Sequence, residues 1–208
     1  MEALWAQILA TSGLEWLGTL TGIVGVYLSI KEKVAAWPLF IICYSSYVFL
    51  SFEAGLLAAV FMNLVFIVLS AYGWWRWTRK AETDTGARLV TRTPRFDWCV
   101  ACAFWAIAAV AIGYLLSRYT EAYRPYLDAF ATSGAFVAQW MLGRKQIGTW
   151  LCWLISDTVF IGLWFVQGYL LTLVLYAVFI VLAVIGWREW HRTVAQRDAG
   201  KGIQSPII

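Results

Sequence analysis

The chain has 208 residues, of which 62% are hydrophobic and only 13% charged, with a formal net charge of +4. Soluble domains carry about twice that share of charge, so a water-soluble globular domain is excluded. Apolar runs of the ~20 residues needed to cross a bilayer recur along the whole chain, as in a polytopic membrane protein.

The opening "MEALWAQILA" has no basic n-region and no A-x-A-like cleavage site. It reads as a short amphipathic helix (1–11) lying on the membrane before the first span. Seven spans follow, over 12–30, 35–52, 54–77, 97–117, 127–143, 147–167 and 169–189. They are expected to be helices, because backbone groups in lipid have to be satisfied within their own segment. The polar "TRKAETDTGARLVTRTPR" falls in the one long loop (78–96), and a polar tail occupies 191–208.

Fourteen Lys and Arg residues, from Lys31 and Lys33 to Arg197 and Lys201, fall on one side of this arrangement, and only Arg118 and Arg124 on the other. The positive-inside rule makes the first side cytoplasmic, with the N-terminus outside and the C-terminus inside. The net charge belongs to these flanks and needs no nucleic-acid partner. Cys43, Cys99, Cys102 and Cys152 all lie in spans. Cys99-Val-Ala-Cys102 has redox spacing but no second pair or histidine beside it, so these are packing residues. His191 is the only histidine, and no metal or cofactor is expected.

Shifted by 113 residues, the chain matches itself. "FIVLSAYGWWRW" (66–77) falls on "FIVLAVIGWREW" (179–190), and "KEKVAAW" (31–37) falls on "RKQIGTW" (144–150). One offset that holds across a loop and a helix end argues for duplication. The expected plan is a three-helix repeat (12–77), a linker span (97–117) and a second three-helix repeat (127–190). An odd linker gives both repeats the same orientation. Parallel repeats belong to transporters whose substrate site lies near the midplane between the halves.

The stretch "GTWLCWLISDTVFIGLW" places Asp157 about ten residues, or ~15 Å, below the cytoplasmic end of its span. A charge at that depth is costly unless it faces a protein cavity and finds a partner. Trp150, Trp153 and Asp157 stand at i, i+3 and i+7 on one helix face. Two indoles and an anion suit a flat cationic heteroaromatic ring. An intramembrane hydrogen bond or a proton relay is the competing reading for Asp157, and an interfacial belt role for Trp150.

Tyr44 is the repeat equivalent of Asp157, and Tyr176 that of Asn63. These four residues share one depth on four helices, with Gln139 nearer the cytoplasm. They are candidates to hydrogen-bond a ribose or vitamin side chain, although Asn63 and Gln139 serve equally as helix–helix glue.

No phosphate loop is present, and no second intramembrane carboxylate pairs with Asp157. The expected mechanism is facilitated diffusion by rocking of two triple-helix bundles, with cargo trapped by a cytosolic kinase. Catalysis is not expected, because no nucleophile, metal cluster or partner carboxylate accompanies Asp157.

The second half, "AQWMLGRKQIGTWLCWLISDTVFIGLWFVQGYLLTLVLYAVFIVLAVIGWREW" (138–190), resembles the PnuC-type vitamin transporters. The shared motifs are a Gln-Trp pair before a basic loop, W-x-x-W-x-x-x-[ND], L-Y-x-x-F and a terminal G-[YW]-x-x-W. "GIVGVYLSIKEKVAAWPL" resembles the first-half counterpart. The resemblance implies a doubled SWEET-like fold in a bacterial inner membrane, commonly a homotrimer. It implies a cargo such as nicotinamide riboside, thiamine or riboflavin, and a site that includes Trp150, Trp153, Asp157 and Gln139. Two departures touch that site: Asn63 replaces a frequent Gln, and Asp157 replaces the Asn of many riboside carriers. Nicotinamide riboside and thiamine carry cationic rings and suit Asp157, whereas riboflavin is neutral.

Overall fold

The computed structural model describes residues 11–79 and 89–203, with side chains to Ala199. The helix expected over 1–11, the middle of the long loop and the end of the tail therefore lie largely outside the described residues. Seven helices follow one another: α1 (Gly13–Ile30), α2 (Ala36–Glu53), α3 (Leu57–Thr78), α4 (Arg95–Tyr119), α5 (Pro125–Gly143), α6 (Gly148–Gln167) and α7 (Leu170–Ile203). Every predicted span has its helix. The largest difference is at the end, where the expected tail continues α7 to Ile203. No proline interrupts it, Val194 is buried, and Arg197 Nη1 donates to Val90 O at 2.8 Å.

Six of these helices are long and apolar enough to cross a membrane; α5 is not among them. It carries Asp128, Thr132, Ser133 and Gln139, yet it is the most enclosed helix, buried at nearly every position from Ala129 to Gly143. A helix sheathed by other helices does not need an apolar surface, so hydropathy under-reads it.

The turns carry the same local geometry at positions 113 apart. Glu32 and Lys145 both have left-handed backbones, with φ of 55° and 54°, and so do Gly55 and Gly168, at 72° and 78°. Glycine takes this conformation freely, but a side chain there costs about 1–2 kcal/mol. Glu32 and Lys145 have something to offset it. Lys145 Nζ lies 2.7 Å from Glu32 Oε2, with the lysine nearly buried and 4.6 Å from the centre of the Trp77 ring.

Helix contacts follow the same scheme. α1 packs on α2 and α2 on α3, as α5 packs on α6 and α6 on α7. Between the two sets, α3 packs on α5 and α1 on α7, while α4 leans on α5. Lipid supplies no hydrophobic drive between helices, so close van der Waals packing has to hold them. Glycines provide the seats. The Trp37 ring lies over Gly73 and meets Trp77 edge-on at 5.2 Å. The Trp150 ring lies over Gly186 and meets Trp190 edge-on, also at 5.2 Å.

The same tryptophans tie the two sets together. Trp77 Nε1 donates to Leu142 O at 3.2 Å, and Trp190 Nε1 donates to Ile30 O at 3.1 Å. With Glu32–Lys145 and the exposed Lys31–Glu189 pair, they close the end of the molecule where the Lys and Arg residues collect. A Lys145→Met change is expected to lower stability by about 1–3 kcal/mol, since it strands Glu32 without its partner. The Glu32→Lys/Lys145→Glu exchange should recover most of that loss. Thermal unfolding in detergent reads both.

Candidate functional site

Asp157 is 2% exposed on α6. It makes no ion pair and no hydrogen bond with another described residue. Its electrostatic neighbours are phenols: Tyr44 of α2 and Tyr176 of α7 both feel its charge. Three of the predicted residues, from three helices, therefore lie within electrostatic reach of one another.

Aromatic rings extend this cluster toward α5. Tyr44 stacks on Phe66 at 4.7 Å with 14° between planes, and Phe66 meets Phe136 at 4.8 Å. Tyr176 leans on Phe160 at 5.1 Å and on Phe179 at 6.1 Å. Such rings present π faces to a flat guest.

The remaining predicted residues divide. Trp153 is half-buried and packs between the two apolar clusters of the core. Trp150 is 1% exposed, with its ring pressed on Gly186, just as fully buried Trp37 is pressed on Gly73. That ring serves the α6–α7 contact, and its Nε1 has no hydrogen-bond partner among the described residues. Asn63 is half-buried and donates to Ala59 O of its own helix at 2.8 Å; no described contact ties it to Asp157.

Gln139 is fully buried and donates to Ser70 Oγ at 3.1 Å across the α5–α3 contact, while its Oε1 has no partner. The residues 113 positions away from this pair are Val26 and Ala183, both in the apolar core. The polar bridge thus exists on one side of the molecule only. Ser70 was not foreseen; its one sequence signal is that its counterpart is an alanine. Ser156 was also missed. It is fully buried beside Asp157, its hydroxyl has no described partner, and it faces Gly134.

Two unpartnered buried oxygens, an unpaired carboxylate and several phenyl and phenol rings are what a polar aromatic ligand needs. Among the described residues no group of three metal-ligating side chains exists. Free Cys99 and Cys102 lie on exposed positions of α4.

A multi-helix membrane protein with polar groups enclosed among its helices fits the class of small-molecule transporters. Residues 12–192 match the family model described as nicotinamide mononucleotide transporter, so the chain belongs to that family, the PnuC-type transporters. It is a multi-pass protein of the bacterial inner membrane. The riboflavin/roseoflavin transporter RibM of Streptomyces davaonensis is 25% identical over 180 residues, covering 85% of this chain and 83% of RibM. The nicotinamide riboside transporter PnuC of Escherichia coli is 22% identical over 213 residues, covering 90% of this chain and 89% of PnuC. A crystal structure of the vitamin B3 transporter PnuC superposes with a TM-score of 0.73 at 20% identity, covering 93% of this chain and 87% of the other. That likeness establishes the fold.

Proposed function

We propose that the protein carries a cationic aromatic vitamin, nicotinamide riboside first among candidates, by facilitated diffusion with trapping by a cytosolic kinase. The observation that carries this reading is Asp157: a buried carboxylate with phenols beside it and no cation of its own among the described residues. A ring-borne positive charge is the partner it lacks. The partnerless Oε1 of Gln139 and hydroxyl of Ser156 are further acceptors for ribose hydroxyls.

The accompanying architecture is two parallel repeats with α4 as linker, all seven helices crossing the membrane, the N-terminus outside and the C-terminus inside. Twin turns, twin tryptophan–glycine seats and reciprocal indole hydrogen bonds support the repeat. Equivalent residues that touch each other have to lie on the relating axis, so the Glu32–Lys145 pair marks it. Rocking would part this pair as the cytoplasmic end opens. Assembly as a homotrimer is carried over from the family resemblance.

Riboflavin is the second reading, favoured by the riboflavin carrier RibM among the relatives. Thiamine shares the cationic ring and is the third. Tryptophan-fluorescence titration of the purified protein with all three separates them. Micromolar quenching by nicotinamide riboside is expected; a response to riboflavin alone removes the charge-pairing argument. Proton coupling through Asp157 is tested by imposing a pH gradient on proteoliposomes, where passive carriage predicts no change in steady-state accumulation.

A further inference from the structure

A second acidic, aromatic recess lies at the opposite end from the Glu32–Lys145 pair. It is a cavity of about 160 Å³ lined by Ala122, Tyr123, Asp128, Phe160, Leu163, Trp164 and Gln167. Asp128 stands in the first turn of α5, and Trp164 and Gln167 in the last turn of α6. Trp164 Nε1 is buried with no close hydrogen-bond partner, and it is directed at the Tyr176 hydroxyl. Arg124, the nearest cation in sequence, sits at the rim: it donates to Oη of Tyr123, itself part of the wall, at 3.1 Å and lies over that ring, but it forms no ion pair with Asp128.

Comparison with positions 113 earlier shows what is particular here. Asp128 corresponds to Glu15, Thr132 to Thr19, and Phe160 to Tyr47. In the first half, Tyr47 Oη and Thr19 Oγ1 are hydrogen-bonded at 3.0 Å, which fills that corner. In the second half the phenol is replaced by Phe160, which cannot make this bond, and Thr132 turns to Asp128 at 3.4 Å. The second half thus pairs its threonine with a carboxylate in place of a phenol, and leaves at the recess a carboxylate that carries no ion pair among the described residues.

Side-chain contacts lead from the recess toward the deeper site. Phe160 lines it and touches Tyr176, and Tyr176 lies within electrostatic reach of both Asp128 and Asp157. An apolar cavity of about 150 Å³ holds one benzene ring, so this one holds the ring of a vitamin but not its sugar. We propose that this recess is an outer receiving subsite for the cationic ring of the cargo. There Asp128 supplies the charge and Phe160 and Trp164 the stacking faces, before the ring passes Tyr176 to Asp157. The proposal deepens the cationic-cargo reading and rests on it.

Charges at the rim of a site act chiefly on association rate and its salt dependence. The test is stopped-flow tryptophan fluorescence of the full-length protein with nicotinamide riboside, at low and at 0.5 M salt. In D128N the association rate at low salt is expected to fall about three- to tenfold and to lose most of its salt dependence. Asp128→Glu should keep both. In D157N the dissociation rate should rise instead.

If Asp128 merely complements the dipole of α5, D128N lowers the melting temperature with association and its salt slope unchanged, which overturns the subsite. Wild-type protein that binds riboflavin but no cation removes the reading of Asp157 and the subsite with it. Cation binding that depends on Asp157 but not on Asp128 removes the subsite alone.

Discussion

Asp157→Asn should weaken binding of nicotinamide riboside and thiamine by about 30- to 1000-fold while changing riboflavin by no more than about threefold. The figure follows from removing one partner of a desolvated, hydrogen-bonded charge pair, which costs about 2–4 kcal/mol. The asparagine keeps the shape and loses the charge, so the difference between charged and neutral ligands isolates the electrostatic part. Equilibrium titration of tryptophan fluorescence gives the affinities, and uptake into proteoliposomes shows whether transport follows them. Cation affinity that survives unchanged makes Asp157 a structural or gating group.

The second large effect is expected far from any ligand. A Cβ at Gly73 would lie 2.1 Å from a carbon of the Trp37 ring, where carbon atoms need about 3.5–4.0 Å. The ring has little room to retreat, with Trp77 against one side and Phe40 at 5.8 Å. Helix α3 then has to move away from α2. Gly73→Ala should cost about 3 kcal/mol or more, which for a chain of this size lowers Tm by about 6–12 °C. Gly186→Ala, with its nearest ring carbon at 2.6 Å, should follow in the same direction with a smaller loss. Gly162→Ala is the control, since nothing lies within 4 Å of its added carbon. Thermal unfolding in detergent ranks the three. Equal melting temperatures for all would mean that the tryptophan seats are not what holds α2 against α3.

The succession of helices was legible because hydropathy reports lipid exposure directly and the internal match reports position. α5 shows the limit of that signal: it is polar because other helices surround it, and its enclosure is a tertiary fact. Asp157, Tyr44 and Tyr176, chosen for a shared depth, lie within electrostatic reach of one another. Facing was not legible. Trp150 looked like a stacking platform because it shares a stripe with Asp157, yet its ring is buried over Gly186. The internal match held the clue, since Trp37 and Gly73 repeat as Trp150 and Gly186. A tryptophan–glycine pair kept in both halves marks common packing, whereas an asymmetric ligand is met by residues that differ. By that criterion Gln139 with Ser70, opposite Val26 with Ala183, stands out. Asn63 escaped because bonding to its own helix depends on a rotamer, which periodicity does not report.

If the proposed repeat axis runs through the Glu32–Lys145 pair, that pair constrains how such a chain assembles. A residue on a two-fold axis meets its own copy, so two identical half-proteins paired this way would bring Glu32 against Glu32, or Lys145 against Lys145. Like charges at 2.7 Å repel strongly where water is scarce. Only non-identical copies, as a fused chain can hold, place an acid and a base there. The pair therefore works as a key for heterologous matching: halves expressed as separate polypeptides should join first to second and reject their own kind.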